Sequence, residues 1–315
     1  MKVITLFFVL LVFTALAGVL AFQPEKLPKT KALLGKKLFF DPILSENHTI
    51  SCASCHKPQF AFADTARFSQ GIYGHLTTRN TPSSMNVRGR TSLFWDGRVK
   101  SLEEQALAPL VHPNEMGLPL AEAVKRLNAD VFYQKAFKKL FKSGATQENL
   151  AIALAEFQRS LETGNSAFDR FIHDNDQKAI TESAKRGRMI FIEKAKCFDC
   201  HFGLDFTGDE FMNIGLYNGK ELNDPGRFGI VKDSAYLGSF KVPGLRNIAI
   251  TAPYMHNGMF KTLREVVDYY DDPNKFVQGS LNRDELLRKP LGLTVNEKED
   301  LVAFLESLTD ETFVK

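Results

Sequence analysis

The chain has 315 residues, 44% of them hydrophobic and 24% charged, a globular profile rather than a disordered or membrane-embedded one, and long enough for two domains of ordinary size. A formal net charge of +3 is too small to argue for nucleic acid as a partner. Phenylalanine is over-used, at 27 against the single Trp95, which suits the walls of a large flat apolar ligand and equally an ordinary Phe-rich core.

The first segment, residues 1–21, has the form of an export signal. Lys2 precedes an almost unbroken apolar run from Val3 to Leu20, and Ala15-Leu16-Ala17 or Val19-Leu20-Ala21 offers a small-residue cleavage site. An uncleaved anchor is the alternative, because the run nearly spans a bilayer. No later run approaches that length.

The four cysteines form Cys52-Ala53-Ser54-Cys55-His56 and Cys197-Phe198-Asp199-Cys200-His201, two copies of C-x-x-C-H. Two thiols one turn apart can each form a thioether with a haem vinyl group, and the adjacent histidine offers its imidazole to the iron. Disulfides and zinc are the competing readings. A chain of this size needs no staples, and a histidine directly after each pair, with no cysteine left over, fits neither disulfides nor zinc. Two covalently bound haem c groups are therefore expected.

Between and after these motifs the pattern is helical. Residues 101–104, 262–265 and 294–297 have the Ser/Thr-x-x-Glu form of capping boxes, each opening a helix. Residues 121–142 and 147–162 carry apolar residues at three-to-four spacing, with Gly144 between them. The polar stretch 165–179 marks a domain boundary, followed by a helix towards Gly187. Residues 230–242 are expected to form a short hairpin. Leu263, Val266, Val267 and Tyr270 share one face of a helix, and Tyr269 falls off that stripe. The fold expected is mainly α: two cytochrome c-like haem domains packed against each other, residues 24–164 and 165–315, with few short strands.

Further blocks make the pattern specific. They are Gly35-Lys36-Lys37-Leu38-Phe39-Phe40-Asp41-Pro42, Phe94-Trp95-Asp96-Gly97-Arg98, Asn114-Glu115-Met116-Gly117 and Thr251-Ala252-Pro253-Tyr254-Met255-His256-Asn257-Gly258. With the paired haem motifs they resemble the bacterial diheme cytochrome c peroxidases and their MauG-type relatives, from about Gly35 to Leu305. The resemblance implies that the haem at Cys52, Cys55 and His56 is the peroxidatic one, in the N-terminal domain. Glu115 would be its acid–base group, with Gln105 beside it. The haem at Cys197, Cys200 and His201 would serve electron transfer in the C-terminal domain. Trp95 would lie between the two haems, and His256 near the second. Asn80, Thr251 and Pro253 match an inter-domain calcium site, and Arg246 is a candidate partner for a haem propionate. Without the family context Glu115 and Gln105 would pass for ordinary solvated side chains, and Trp95 for a core residue.

The sequence also departs from the peroxidase pattern. In the peroxidases a methionine fourteen residues after the histidine matching His256 is the distal ligand of the second haem, whereas here, as in the MauG-type enzymes, that position is Tyr270. Met212, Met255 and Met259 are the rival ligands. Some relatives place a distal histidine on the first haem; His75 lies in the matching loop but out of register with that ligand when counted back from Asn80. The leading expectation is a periplasmic peroxidase that reduces hydrogen peroxide with electrons from a small donor such as a cytochrome c or cupredoxin. A MauG-type oxidase modifying tryptophan or tyrosine of a partner protein comes second, and a non-enzymatic diheme electron carrier third. Relatives of this kind are often homodimers.

Overall fold

A computed structural model describes residues 26–313; the expected export segment 1–21 lies outside them. Eleven α-helices, several single 3-10 turns and one two-stranded ribbon make up the described residues. In chain order they are α1 (Lys31–Phe40), α2 (Cys52–Cys55), α3 (Leu102–Val111), α4 (Leu120–Ala129), α5 (Val131–Phe141), α6 (Gln147–Arg159), α7 (Ala167–His173), α8 (Glu182–Ile192), β1 (Phe211–Met212), α9 (Phe228–Val231), β2 (Phe240–Lys241), α10 (Leu263–Asp271) and α11 (Val295–Glu306). The fold is mainly α, as the sequence implied.

Local signals explain most helix starts. Thr262 and Thr294 form complete capping boxes with Glu265 and Glu297, each hydroxyl accepting the backbone N–H that the matching carboxylate repays. Ser101 makes half of one: its Oγ accepts the Glu104 N–H at 3.2 Å, but the Glu104 carboxylate accepts from Lys100 N instead. The single helix suggested by residues 121–142 is two. Asp130 is extended (φ −77°, ψ 123°), closing α4 and capping α5 through the Tyr133 N–H at 2.9 Å. The hairpin expected at 230–242 does not form. That stretch holds the end of α9 and then β2, which pairs antiparallel with β1, Phe211 opposite Lys241.

Two large apolar clusters hold the described residues, with a small third at Leu93, Leu102 and Ala155. The first gathers Leu34, Leu38, Leu110, Leu127, Phe137, Leu154 and Phe157, and the second Phe191, Phe206, Leu216, Val267, Tyr269, Leu301 and Phe304. Full burial of a leucine such as Leu38 contributes about 1.5–3 kcal/mol. α7, inside the stretch 165–179, packs on the second cluster, with the Phe168 ring against Phe206 and Phe304.

The halves repeat one packing device. Gly35 of α1 lies so close to α6 that a Cβ would overlap the Ala153 carbonyl, and Gly187 of α8 meets the Asp300 carbonyl of α11 in the same way. Each close helix pair stands beside one C-x-x-C-H. At that distance only glycine lets the two backbones meet.

Candidate functional site

The two motif histidines face one continuous cavity of about 990 Å³, at the upper end of ordinary ligand cavities (about 300–1,000 Å³). His56 and His201 are held alike. The ring Nδ1 of His56 lies 2.9 Å from the Phe62 carbonyl, and that of His201 lies 2.9 Å from the Phe206 carbonyl. A carbonyl only accepts, so Nδ1 carries the proton and Nε2 keeps its lone pair, the arrangement that orients an imidazole as a metal ligand. Burial lowers both imidazole pKa values, which keeps the rings neutral. Both accepting carbonyls belong to phenylalanines with positive φ, 56° at Phe62 and 55° at Phe206. Such a conformation costs a bulky residue about 1–3 kcal/mol and marks a place where function fixes the backbone.

The cysteines are half-buried thiols without disulfides. Burial pushes Cys52 and Cys197 up to about 12 and Cys55 and Cys200 up to about 11. Among the described residues no three His, Cys, Asp or Glu side chains converge as a metal centre. Protein-derived Nε2 atoms on the wall of a large, mostly apolar cavity, with paired thiols beside them, fit a covalently held haem in each half.

The surroundings of the two histidines differ. Near the first motif the cavity wall carries Arg98, Gln105, His112 and Glu115. Gln105 Oε1 is buried without a hydrogen-bond partner. Burial raises the pKa of Glu115, while His112 and Arg98 pull it down. Near the second motif the wall carries Leu263, Val266, Val267 and Tyr270 of α10, joined by Leu286, Leu287 and Leu291. The stripe read from the sequence thus faces the cavity. Burial drives the Tyr270 phenol far above its ordinary range, with Cys197 and Cys200 adding to the effect. Tyr269 is fully buried in the core behind and donates its hydroxyl to the Ile214 carbonyl at 2.6 Å. Met212 and Met255 also line the cavity; Met259 is not among its lining residues.

Trp95 ties the halves together between these walls. Its Nε1–H donates to the Asn80 carbonyl and its own carbonyl accepts from Lys241 N, both at 2.8 Å. His256, 4% exposed, lies edge-on to Trp95 with centroids 6.4 Å apart and stacks on Phe240 at 3.6 Å. Burial depresses the His256 pKa to about 4, Asp224 opposing and Arg79 adding to the shift. Arg79 anchors this layer by pairing with Asp224 through two nitrogens, at 2.7 and 2.8 Å, and with Asp96 through the third. Asn80, Thr251 and Pro253 line the same cavity, and the Asn80 amide N–H groups point at the Ala66 and Arg67 carbonyls.

Two candidates stand differently. Arg246 lines the cavity, but both terminal nitrogens bind Asp169, at 2.8 and 3.0 Å, and Nε reaches the Leu204 carbonyl and Asp205. Its charge is matched within the protein by Asp169 and Asp205. His75 is exposed, outside the cavity lining, with Nδ1 3.4 Å from the Pro113 carbonyl. Sequence reasoning missed His112, Phe240 and the two left-handed phenylalanines. The phenylalanines had a trace in the sequence, because each follows its C-x-x-C-H by five or six residues.

A helical fold built twice, each half presenting a C-x-x-C-H histidine to a shared cavity, defines a diheme c-type cytochrome. The family model for di-haem cytochrome c peroxidase matches residues 29–177. The methylamine utilization protein MauG of Methylorubrum extorquens is 38% identical over 303 residues, covering 92% of this chain and 83% of that protein. The cytochrome c551 peroxidase of Nitrosomonas europaea is 34% identical, covering 89% and 80%. The crystal structure of a MauG-like protein associated with microbial copper homeostasis superposes with a TM-score of 0.83 at 33% identity, covering 92% of each chain. The chain belongs to the di-haem cytochrome c peroxidase and MauG family, and membership implies two haem c groups.

Proposed function

We propose that this protein is an exported, periplasmic diheme peroxidase that reduces hydrogen peroxide to water with electrons from a small redox protein, a cytochrome c or cupredoxin. Residues 24–164 form its peroxidatic domain and residues 165–315 its electron-transfer domain. The observation that carries the reading is the polar part of the cavity wall, where Gln105 presents a buried, unpartnered acceptor and Glu115 a carboxyl whose pKa burial raises. Cys52, Cys55 and His56 would hold a haem, which would supply the iron and electrons needed for O–O cleavage. Glu115 takes the proton from one peroxide oxygen and returns it to the other, while Gln105 Oε1 accepts the peroxide O–H and orients it. Trp95, bonded to both halves, carries charge between the two sites. His256 fixes the Trp95 ring edge-on, and Cys197, Cys200 and His201 hold the second haem.

The Asn80 amide oxygen, with the Thr251 and Pro253 carbonyls, makes a hard oxygen set that would hold calcium beside Trp95. Tyr270 supports a second reading. A phenolate ligand lowers the potential of a haem that a methionine would raise, and such a pair of sites suits the oxidation of tryptophan or tyrosine in a partner protein. Two relatives named as methylamine utilization protein MauG, at 38% and 37% identity, point the same way. Steady-state peroxide turnover with a panel of reduced donors tests both. Turnover with a cytochrome or cupredoxin supports the peroxidase, and peroxide-dependent oxidation of a protein side chain without donor turnover supports the second reading. A protein that only exchanges electrons overturns both.

A further inference from the structure

Reduction of one peroxide, H2O2 + 2 H+ + 2 e− → 2 H2O, takes its electrons from the donor protein and its two protons from water. Those protons must reach Glu115, whose side chain is 28% exposed. α3, which carries Gln105, ends beside it, and the residue that caps the end is His112. The chain turns at once, so that Glu115 N and Gly117 N both donate to the His112 carbonyl, at 3.0 and 3.1 Å. The loop at 71–75 pins this turn from the other side. Ile72 N donates to the Glu115 carbonyl at 2.9 Å, and a Cβ on Gly71 would overlap the Asn114 carbonyl.

The turn sets His112 Nδ1 3.6 Å from Glu115 Oε1, a gap that one water or a small torsional shift closes. The His112 side chain lines the cavity yet is 48% exposed, so a single ring meets the carboxyl and the solvent. Asn114 N–H donates to Nδ1 at 3.3 Å, so the neutral ring keeps its proton on Nε2. Burial raises the Glu115 pKa, which brings its proton affinity towards that of an imidazole. The other charged groups around the turn are Arg98, Glu46, whose carboxylate lies beside Gly117, and His75 near the Pro113 carbonyl. Among the described residues none of them forms an ion pair with His112; Glu115 does.

We propose that His112 is a positioning residue for the peroxide chemistry, relaying protons between solvent and the Glu115 carboxyl. This rests on the peroxide-reducing reading above. The neutral ring takes a proton from water at Nδ1 as that nitrogen leaves the Asn114 N–H, and passes it to Oε1; Nε2 keeps its own proton throughout, so each relay step leaves the ring as it began.

His112→Asn in the haem-loaded protein tests it, because the amide oxygen can accept the Asn114 N–H in place of Nδ1 and keep the turn while nothing titrates. The expected result is a fall in kcat of about 10-fold or more with KM for peroxide little changed. Wild-type kcat falls as pH rises through the His112 titration, that limb is lost in the variant, and free imidazole restores part of the rate. A second readout needs no turnover: NMR titration of 15N-labelled histidine, in which Glu115→Gln lowers the His112 pKa by removing the facing carboxylate. Wild-type kcat and pH profile in His112→Asn, or a loss carried in KM and not rescued by imidazole, would overturn the relay. Should the wild type fail to turn over peroxide, the functional reading falls by itself. The NMR arm then decides the pair, and an unmoved His112 titration in Glu115→Gln rejects it.

Discussion

The two halves of the molecule build the same frame and furnish it differently. In both, a glycine-seamed helix pair stands beside a C-x-x-C-H, and the carbonyl of a left-handed phenylalanine accepts the Nδ1–H of the motif histidine. Around His56 the frame is lined with Arg98, Gln105, His112 and Glu115; around His201 it is lined with leucines, valines and Tyr270. The frame decides how an imidazole meets iron. The linings differ in kind: in the first half Gln105 and Glu115 line the cavity together with the half-exposed His112, whereas the second half adds Lys196, Asp205 and Asp284 to an aliphatic wall around Tyr270.

The most severe way to test this division is to remove one attachment site. Cys197→Ala with Cys200→Ala should leave a protein carrying one covalent haem instead of two, read by mass spectrometry after denaturation; loss of both would mean that the halves do not bind haem independently. Next in size, Glu115→Gln should slow peroxide turnover by roughly 100-fold or more and leave both haem spectra as they were, since the carboxyl acts on the proton and not on the iron. Tyr270→Phe should change the ligand field of one haem only, and the ferric wild type should lack the near-infrared sulfur-to-iron band. A band that is present, with Tyr270→Phe silent, would assign the ligand to Met212 or Met255 in the cavity wall.

Packing symmetry is open to test as well. Gly35→Ala and Gly187→Ala should each cost about 1–3 kcal/mol, the usual range for overpacking, seen as matching shifts in denaturant midpoint. A cost confined to one of them would show that the repeat is not energetic. The smallest effect concerns Asp169, whose pKa lies below the usual carboxylate range despite burial because of the Arg246 and Ser166 hydrogen bonds. A depressed carboxylate pKa contributes stability in full above the unfolded value of about 3.9, and that stability is lost as pH falls through the folded value. Acid unfolding of Asp169→Asn should therefore be flatter than that of the wild type below about pH 4.

How much of this was legible beforehand depended on whether the information was local. Haem attachment is covalent and needs a fixed spacing, so Cys52-x-x-Cys55-His56 and its partner motif carried it without any fold. The α10 stripe was readable because helical period alone sets which of Leu263, Val266, Val267 and Tyr270 share a face. Two local readings failed and one held in part. Asp130 caps a new helix inside an apolar pattern that ran through it, β2 found its partner at residues 211–212 instead of in its own stretch, and Glu104 bonded to Lys100.

What the sequence determined by itself is the class of cofactor and the helical content, both of which follow from residue type and short spacing; Glu115 and Gln105 were expected only through the family resemblance. Only the tertiary structure decided how those residues are employed. It matched the Arg246 charge with Asp169, placed His75 outside the cavity, bonded Trp95 to both halves and set His112 against Glu115. Each of these depends on groups far apart in the chain, or on how a turn is pinned by a distant loop. Such pairings are fixed by packing and by the matching of buried charges and hydrogen bonds, which no periodicity records.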